Sequence, residues 1–234
     1  MRRVGKRGCA VEQVPLLVLG AGIEGLAAAL CLAHQGFPVQ LLDRGAEPHA
    51  DDGDVVPSGA TVLRPSATRV LHGLGLLDAL VPRTLEVQRY SHLDAGSGQV
   101  IRKVELGEVV RARFGYPVLI VERRELRRVL ARACARDEMI GVRYDCRFAD
   151  VEDIGDAALV TLDGGEQWRA EALVGADGPS SRVRALLDGG AGALSPAFVV
   201  RRTTVASTAG EPAHPELRVW SGPTMQVTLS LIHI

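Results

Sequence analysis

Between Leu17 and Leu30 the chain reads LVLGAGIEGLAAAL, which sets Gly20, Gly22 and Gly25 in the G-x-G-x-x-G spacing. The run just before the loop, Leu16–Leu19, has no polar interruption and predicts a buried strand. Beyond the loop, Ile23, Leu26, Ala27, Leu30 and Cys31 recur at helical spacing. Gly36 suits the residue after a helix end, and Pro38 blocks continuation. VQLLD follows as a second short strand ending in Asp43. Strand, glycine turn, helix and strand within about 30 residues open a Rossmann-like α/β fold.

Each glycine has its own physical task in such a turn. Gly20 permits the tight turn, Gly22 lets backbone N–H groups approach a pyrophosphate, and Gly25 lets the helix lie close to the strand. The helix N-terminus adds unpaired donors and a partial positive charge. Asp43 stands near the usual acidic position, about 20 residues on, where a carboxylate accepts from ribose hydroxyls and repels a 2′-phosphate. Arg44 beside it would either neutralise a 2′-phosphate or contact the adenosine part of FAD. This stretch leaves NAD(P) and FAD both open.

A second glycine turn lies in ALVGADGPSSRVRALL, from Ala172 to Leu187. Leu173 and Val174 read as a strand, and Asp177-Gly178-Pro179 as a turn. The helix is expected to resume through SSRVRALL, with Pro179 in its first turn and Ser180 and Ser181 satisfying early N–H groups. That makes another helix N-terminus at a strand end, carrying Arg182 and Arg184, which a simple dinucleotide dehydrogenase does not need.

Gly175, Ala176, Asp177, Gly178, Ser181, Val183 and Arg184 together resemble the "DG" motif of the FAD-dependent aromatic hydroxylases, the single-component flavoprotein monooxygenases. Two further stretches are similar to that family. VLIVERRELRRVLARAC resembles its Arg-x-x-Leu helix start, with Arg123 and Leu126 in those places and Arg124 as the rival register. GATVLRPSATRVLHGLGLLDAL, Gly59 to Leu80, resembles its segment from an FAD-contacting turn into a helix. The resemblance covers most of Pro15 to Arg184 and implies the following roles. Gly20, Gly22 and Gly25 line the pyrophosphate, Asp43 holds the ribose, and Arg44 lies beside it. Arg123, Asp177 and Gly178 contact FAD. Arg184 supports the DG loop or the nicotinamide donor, and the backbone near Phe148 meets the adenine. Asp43 is one methylene shorter than the family's common glutamate.

On the residues alone, Arg123 sits in a charge run with Glu122, Arg124, Glu125, Arg127 and Arg128, the pattern of a solvated helix face. Leu126, Val129, Leu130, Ala133 and Cys134 would be its buried side. His72 reads as a helix-surface histidine rather than a base, and His34, His49, His92 and His214 share no metal-like spacing. No metal site, nucleophilic triad or catalytic side chain is assigned. Cys9, Cys31, Cys134 and Cys146 are scattered without a C-x-x-C pair, so free thiols in a reducing compartment are expected.

The rest of the chain reads mainly as strands. LEVQRYSHLDAGSGQVIRKVEL predicts two strands around DAGSG. VRYDCRFADVED and ALVTLDGGEQWRAEALV alternate as antiparallel strands leading back to the DG turn. FVVRRTTVAS and ELRVWSGPTMQVTL read as strands too. The expected organisation is an extension over 1–13, a discontinuous FAD-binding domain over 14–84 and 107–190, and a truncated antiparallel substrate sheet inserted as 85–106 and 195–228. LLDGGAGALSPA would cross between domains. The last six residues, LSLIHI, match the translation of a transposase adapter used in sequencing libraries, and 229–234 is expected to be an artefact. A Gly-Asp-x-x-His-type segment, the family's third motif, is not among these residues, so the chain is expected to be roughly the first half of an enzyme.

The functional expectation is an FAD-dependent monooxygenase that draws electrons from NADH or NADPH. By resemblance it hydroxylates an electron-rich, aromatic small molecule with molecular oxygen, through a flavin C4a-hydroperoxide. Alternatives are a reductase or halogenase of the same superfamily, or a non-flavin NAD(P)-binding Rossmann protein. With a net charge of −1, no strong field recruits nucleic acid or anionic membrane. No apolar run approaches the roughly 20 residues of a spanning helix, and Glu12, Gln13 and Pro15 interrupt any leader-like run, so a cytoplasmic location is expected.

Overall fold

A computed structural model describes residues 11–47, 59–188, 199–201 and 215–230. In chain order its strands are β1 (Val11–Leu19), β2 (Val39–Leu42), β3 (Ala60–Leu63), β4 (Thr84–Glu86), β5 (Arg89–Asp94), β6 (Val100–Glu105), β7 (Leu119–Glu122), β8 (Ile140–Arg143), β9 (Phe148–Asp153), β10 (Ala158–Leu162), β11 (Gln167–Gly175), β12 (Glu216–Ser221) and β13 (Gln226–Leu229). The helices are α1 (Ile23–His34), α2 (Pro65–Gly73), α3 (Leu77–Leu80), α4 (Gly107–Phe114), α5 (Arg123–Cys134) and α6 (Arg182–Leu187). Contacts divide the chain into two units, 1–52 with 130–199 and 53–129 with 200–234.

The first unit is built on a six-stranded sheet in the order β8-β2-β1-β11-β10-β9. β8, β2, β1 and β11 run parallel, and β10 and β9 continue antiparallel as a meander. The uninterrupted apolar run explains the central place of β1, because a parallel strand is covered on both faces. Leu17, Val18 and Leu19 are fully buried. On one face Leu17, Leu19 and Leu42 pack with Val151, Val160, Leu162, Trp168 and Val183. Val18 and Leu41, paired in register, share the other face. There α1 buries Leu26, Ala29, Leu30 and Ala33. Gly36 adopts φ +88°, the left-handed residue that ends the helix. The Cys134 thiol donates to the Leu26 carbonyl at 3.6 Å, which fastens the end of α5 to α1.

β1 is longer than its apolar run. Val11–Gln13 are exposed yet pair with Gln167–Arg169, so strand structure reaches into the stretch expected to be an extension. Backbone pairing with β11 sets that limit rather than hydropathy.

The second unit holds a three-stranded antiparallel sheet, β3-β7-β4, and a four-stranded sheet, β13-β12-β5-β6. Leu119, Ile120 and Val121 of β7 are buried at the middle of the first. Thr68, also buried, donates its hydroxyl to the Pro117 carbonyl at 3.1 Å. Two differences from the sequence reading arise here. The stretch from Leu85 divides between sheets, since Leu85 and Glu86 pair with β7 and only Arg89–Asp94 pairs with β6. The four-stranded sheet is mixed, because β12 runs parallel to β5. A long connection permits that pairing where a tight hairpin would not. The strand expected over Phe198–Ser207 falls mostly outside the described residues, and Val199–Arg201 carry no strand. The expected domain crossing beyond Asp188 and the last four residues also lie outside them, and the first two residues of that crossing, Leu186 and Leu187, belong to α6. Among the described residues, no helix is long and apolar enough to cross a membrane.

Candidate dinucleotide site

The two glycine turns emerge side by side. β1 and β11 are parallel neighbours, and Leu19 pairs with Gly175 at the end of each. The Gly20 N–H donates to the Leu42 carbonyl at 2.8 Å, and the Ala176 N–H to the Leu19 carbonyl at 2.8 Å. Gly20 takes φ +108°, where a side chain is strained. A Cβ there would stand 2.2 Å from the Ala176 carbonyl oxygen. A Cβ on Gly25 would stand 1.8 Å from the Gly20 oxygen and 3.1 Å from the Ala176 Cβ. These two glycines are therefore required by the protein's own packing, at the contact between the turns.

Gly22 differs. Its backbone is extended (φ −69°, ψ 177°), and a Cβ would meet only the far end of the Glu24 side chain, at 3.1 Å. Gly22 is also the N-cap of the twelve-residue α1, and no side chain caps that helix. The first-turn N–H groups lack a capping side chain, and the space a Cβ would fill is closed by no backbone. A pyrophosphate fits there, and a protein contact does not explain the glycine.

Asp43 lies at the end of β2, half-buried. Its Oδ2 accepts from the Ala21 N–H at 2.5 Å, inside the first turn, and its Oδ1 from the Gly45 N–H at 2.7 Å. A carboxylate has about four lone-pair sites, so each oxygen keeps one for a ribose hydroxyl. Asp43 thus has a duty the sequence reading did not give it, that of shaping the loop.

The second turn is closed upon itself. Asp177 accepts from the Ser181 hydroxyl at 2.6 Å and from the Arg182 N–H at 2.7 Å. Ser181 is the N-cap of α6 and accepts from the Arg184 N–H at 3.0 Å. The helix begins at Arg182, not at Pro179, and has only six residues. Pro179 stays in the turn, where its carbonyl accepts from the Arg184 guanidinium at 2.6 Å. Ser181 takes one early N–H, as its residue type predicts, and Asp177 takes another, so side chains of the turn itself occupy these donors. Gly178 is exposed at φ +89°.

Over residues 13–207 the sequence matches the family described as FAD binding domain. The chain belongs to that family, the family of the FAD-dependent aromatic hydroxylases. It is 29% identical to 3-hydroxybenzoate 6-hydroxylase of Klebsiella oxytoca over 209 residues, covering 88% of this chain and 51% of the relative. It is 28% identical to 3-amino-4-hydroxybenzoate 2-monooxygenase of Streptomyces cremeus over 231 residues, covering 93% and 53%. The fold is that of Klebsiella pneumoniae HpxO, whose crystal structure complexed with FAD and uric acid superposes at a TM-score of 0.68 and 22% identity, covering 92% of this chain and 52% of that one. The chain spans about half the length of the curated relatives it matches.

Within this FAD-binding-domain chain, the remaining expected residues are dispersed. Arg44 is exposed next to Asp43. Phe148 opens β9, opposite a register shift at Thr161/Leu162, and its carbonyl accepts from Arg182 at 3.1 Å. Arg123 is the first residue of α5, in the second unit, half-buried, with its N–H donating to the Gly59 carbonyl at 3.0 Å. The charge run on α5 is partly internal: Glu125 accepts from Arg83 at 2.8 Å and from Arg128 at 2.6 Å. Burial raises the Glu125 carboxyl, but the two arginines prevail and hold it below the ordinary range. Among the described residues no acidic, histidine or cysteine group is arranged to hold a metal. Sequence reasoning missed Glu24, whose carboxylate lies over the Gly22 backbone, and the bond from Arg182 to β9. Only the tertiary fold brings those partners together.

Proposed function

We propose that this polypeptide carries the dinucleotide-binding part of an FAD-dependent monooxygenase that takes electrons from NADH or NADPH and hydroxylates an aromatic or other electron-rich small molecule. One observation carries the flavin assignment. Two glycine turns lie against each other at adjacent strand ends, and Gly22, which neither packing nor a positive φ requires, fronts an uncapped helix N-terminus.

Gly20 and Gly25 set the loop, and Gly22 with the first N–H groups of α1 receives the pyrophosphate. The remaining lone pairs of Asp43 accept from the adenosine ribose, with Arg44 alongside. Asp177, Gly178 and Arg184 keep the second turn in shape beside the cofactor. The backbone at Phe148 faces the adenine, and Arg123 reaches towards the flavin. Bound FAD would supply the activation of molecular oxygen and its transfer to the ring. The protein's share is to bind, orient and exclude water, which needs no side-chain nucleophile. The strands within 85–106 and 195–228 are assigned to the substrate sheet, and a cytoplasmic setting accords with the free thiols.

Incubation with FAD followed by gel filtration tests the cofactor. Flavin absorbance co-eluting with the protein is expected, and a colourless protein would overturn the assignment. Oxidation of NADH and of NADPH should then be followed with 3-hydroxybenzoate and 3-amino-4-hydroxybenzoate, the compounds that the relatives' names carry.

A further inference from the structure

The segment that leads into β9, together with the strand's first two residues, is tied at both ends to the dinucleotide turns. At one end the Asp145 N–H donates to the Gly45 carbonyl at 2.9 Å, and the Cys146 N–H to the Asp43 carbonyl at 2.8 Å. Asp145 takes φ +56°, a conformation that aspartate tolerates better than most residues. At the other end the Arg182 guanidinium donates to the carbonyls of Phe148 and Ala149. It also stands 5.8 Å from the centre of the Phe148 ring, within cation–π range. The Arg182 backbone N–H is itself held by Asp177. A continuous set of bonds therefore runs from Asp43, through Cys146 and Phe148, to Arg182 and Asp177.

The β ladder holds this segment on one side only: Phe148 pairs with Leu162, and the Asp163 N–H donates to the Arg147 carbonyl at 2.9 Å. β9 is the outermost strand, and its register with β10 shifts at the pair Leu162–Phe148. Beyond that edge pairing, Phe148 is held by Arg182 and by packing against the core beneath. We propose that Arg182 is a positioning residue for the adenosine end of the bound dinucleotide: it pins the 145–149 segment between the turn that carries Asp43 and the turn that carries Asp177. The inference rests on the flavin reading given above.

Calorimetric titration with ADP and with FAD tests it, on the wild-type chain and on Arg182→Met, Arg182→Lys and Arg169→Met. Arg169→Met is the control, since it removes an ion pair to the exposed Asp156 on the same sheet. Arg182→Met should weaken ADP and FAD by the same factor, about three- to tenfold for an exposed charge-assisted pair of bonds. Arg182→Lys should recover part of the loss, because an ammonium keeps the charge but not the planar fork. Arg169→Met should bind as wild type does. Amide exchange of the ligand-free protein should quicken at residues 148–150 in Arg182→Met only. Unchanged ADP affinity in Arg182→Met, or a loss confined to FAD, would overturn the positioning role while leaving the flavin assignment intact. A wild-type chain that takes up neither ADP nor FAD would overturn both.

Discussion

Gly20, Gly22 and Gly25 share one motif but guard different things, and substitution should separate them. Gly22→Val leaves the interior untouched, since its Cβ meets only the end of Glu24. It should abolish FAD retention on gel filtration while the thermal midpoint stays near that of wild type. Gly25→Ala drives a Cβ into the Gly20 carbonyl at 1.8 Å. It should cost stability by about 3 kcal/mol or more, visible in the unfolding curve without any ligand. Equal effects from the two variants would contradict this division. Glu24 allows a change in the opposite direction. Its carboxylate lies beside the Gly22 backbone and would repel an approaching pyrophosphate, so Glu24→Gln should tighten FAD binding a few-fold at low salt and lose that advantage at high salt.

At the level of elements, the second turn owes its shape to Asp177 and Ser181 rather than to helix propensity. A six-residue helix does not hold by itself. Asp177→Ala removes both its bonds and should cost about 1 kcal/mol, with faster amide exchange across Arg182–Leu187. The helix pair α1 and α5 gives a second test. Burial, with Asp137 adding to it, pushes the Cys134 thiol up to about 12, and the group lies fully inside. In the folded protein Cys134 should resist a thiol reagent at neutral pH, while half-buried Cys31 reacts ahead of it. Much at this scale was legible in the sequence. The run Leu16–Leu19, the spacing Ile23–Cys31 and the stop at Gly36 each carry a local physical signal, and β1, α1 and β2 stand where those signals put them. The break between Leu85–Glu86 and Arg89 was not legible, because both pieces have strand propensity and only their partners differ. The start of α6 was misplaced for a related reason. Proline and serine suit a first turn, but Asp177 reaches Ser181 and Arg182 only once the turn has folded.

In the molecule as a whole, the core outweighs the surface. Leu17→Ala should cost about 2–5 kcal/mol. Loss of the exposed Arg169–Asp156 pair should stay within about 1 kcal/mol, and chemical denaturation of the two variants compares them directly. Acid provides a different probe. The Arg143 fork holds the Glu166 carboxyl below the ordinary range, and the Ser91 hydroxyl does the same for Glu216. A carboxyl lowered on folding stabilises fully above its unfolded pKa, about 4.3, and that contribution is lost as pH falls through the lower, folded value. Unfolding midpoints measured from neutral to acid pH should fall less steeply in Glu216→Gln than in wild type. The site is harder to read from sequence than the fold, since its parts lie far apart along the chain. That distance has a consequence in time. A chain emerging from the ribosome displays its complete glycine fingerprint once Gly25 is out, yet Gly20 closes against a carbonyl belonging to Ala176. Until β11 has been synthesised and has paired with β1, the loop is held only from the β2 side, by Leu42 and Asp43, and a nascent chain stopped before Gln167 should capture no nucleotide. Cofactor loading therefore waits on translation of the second turn, however early the first is made.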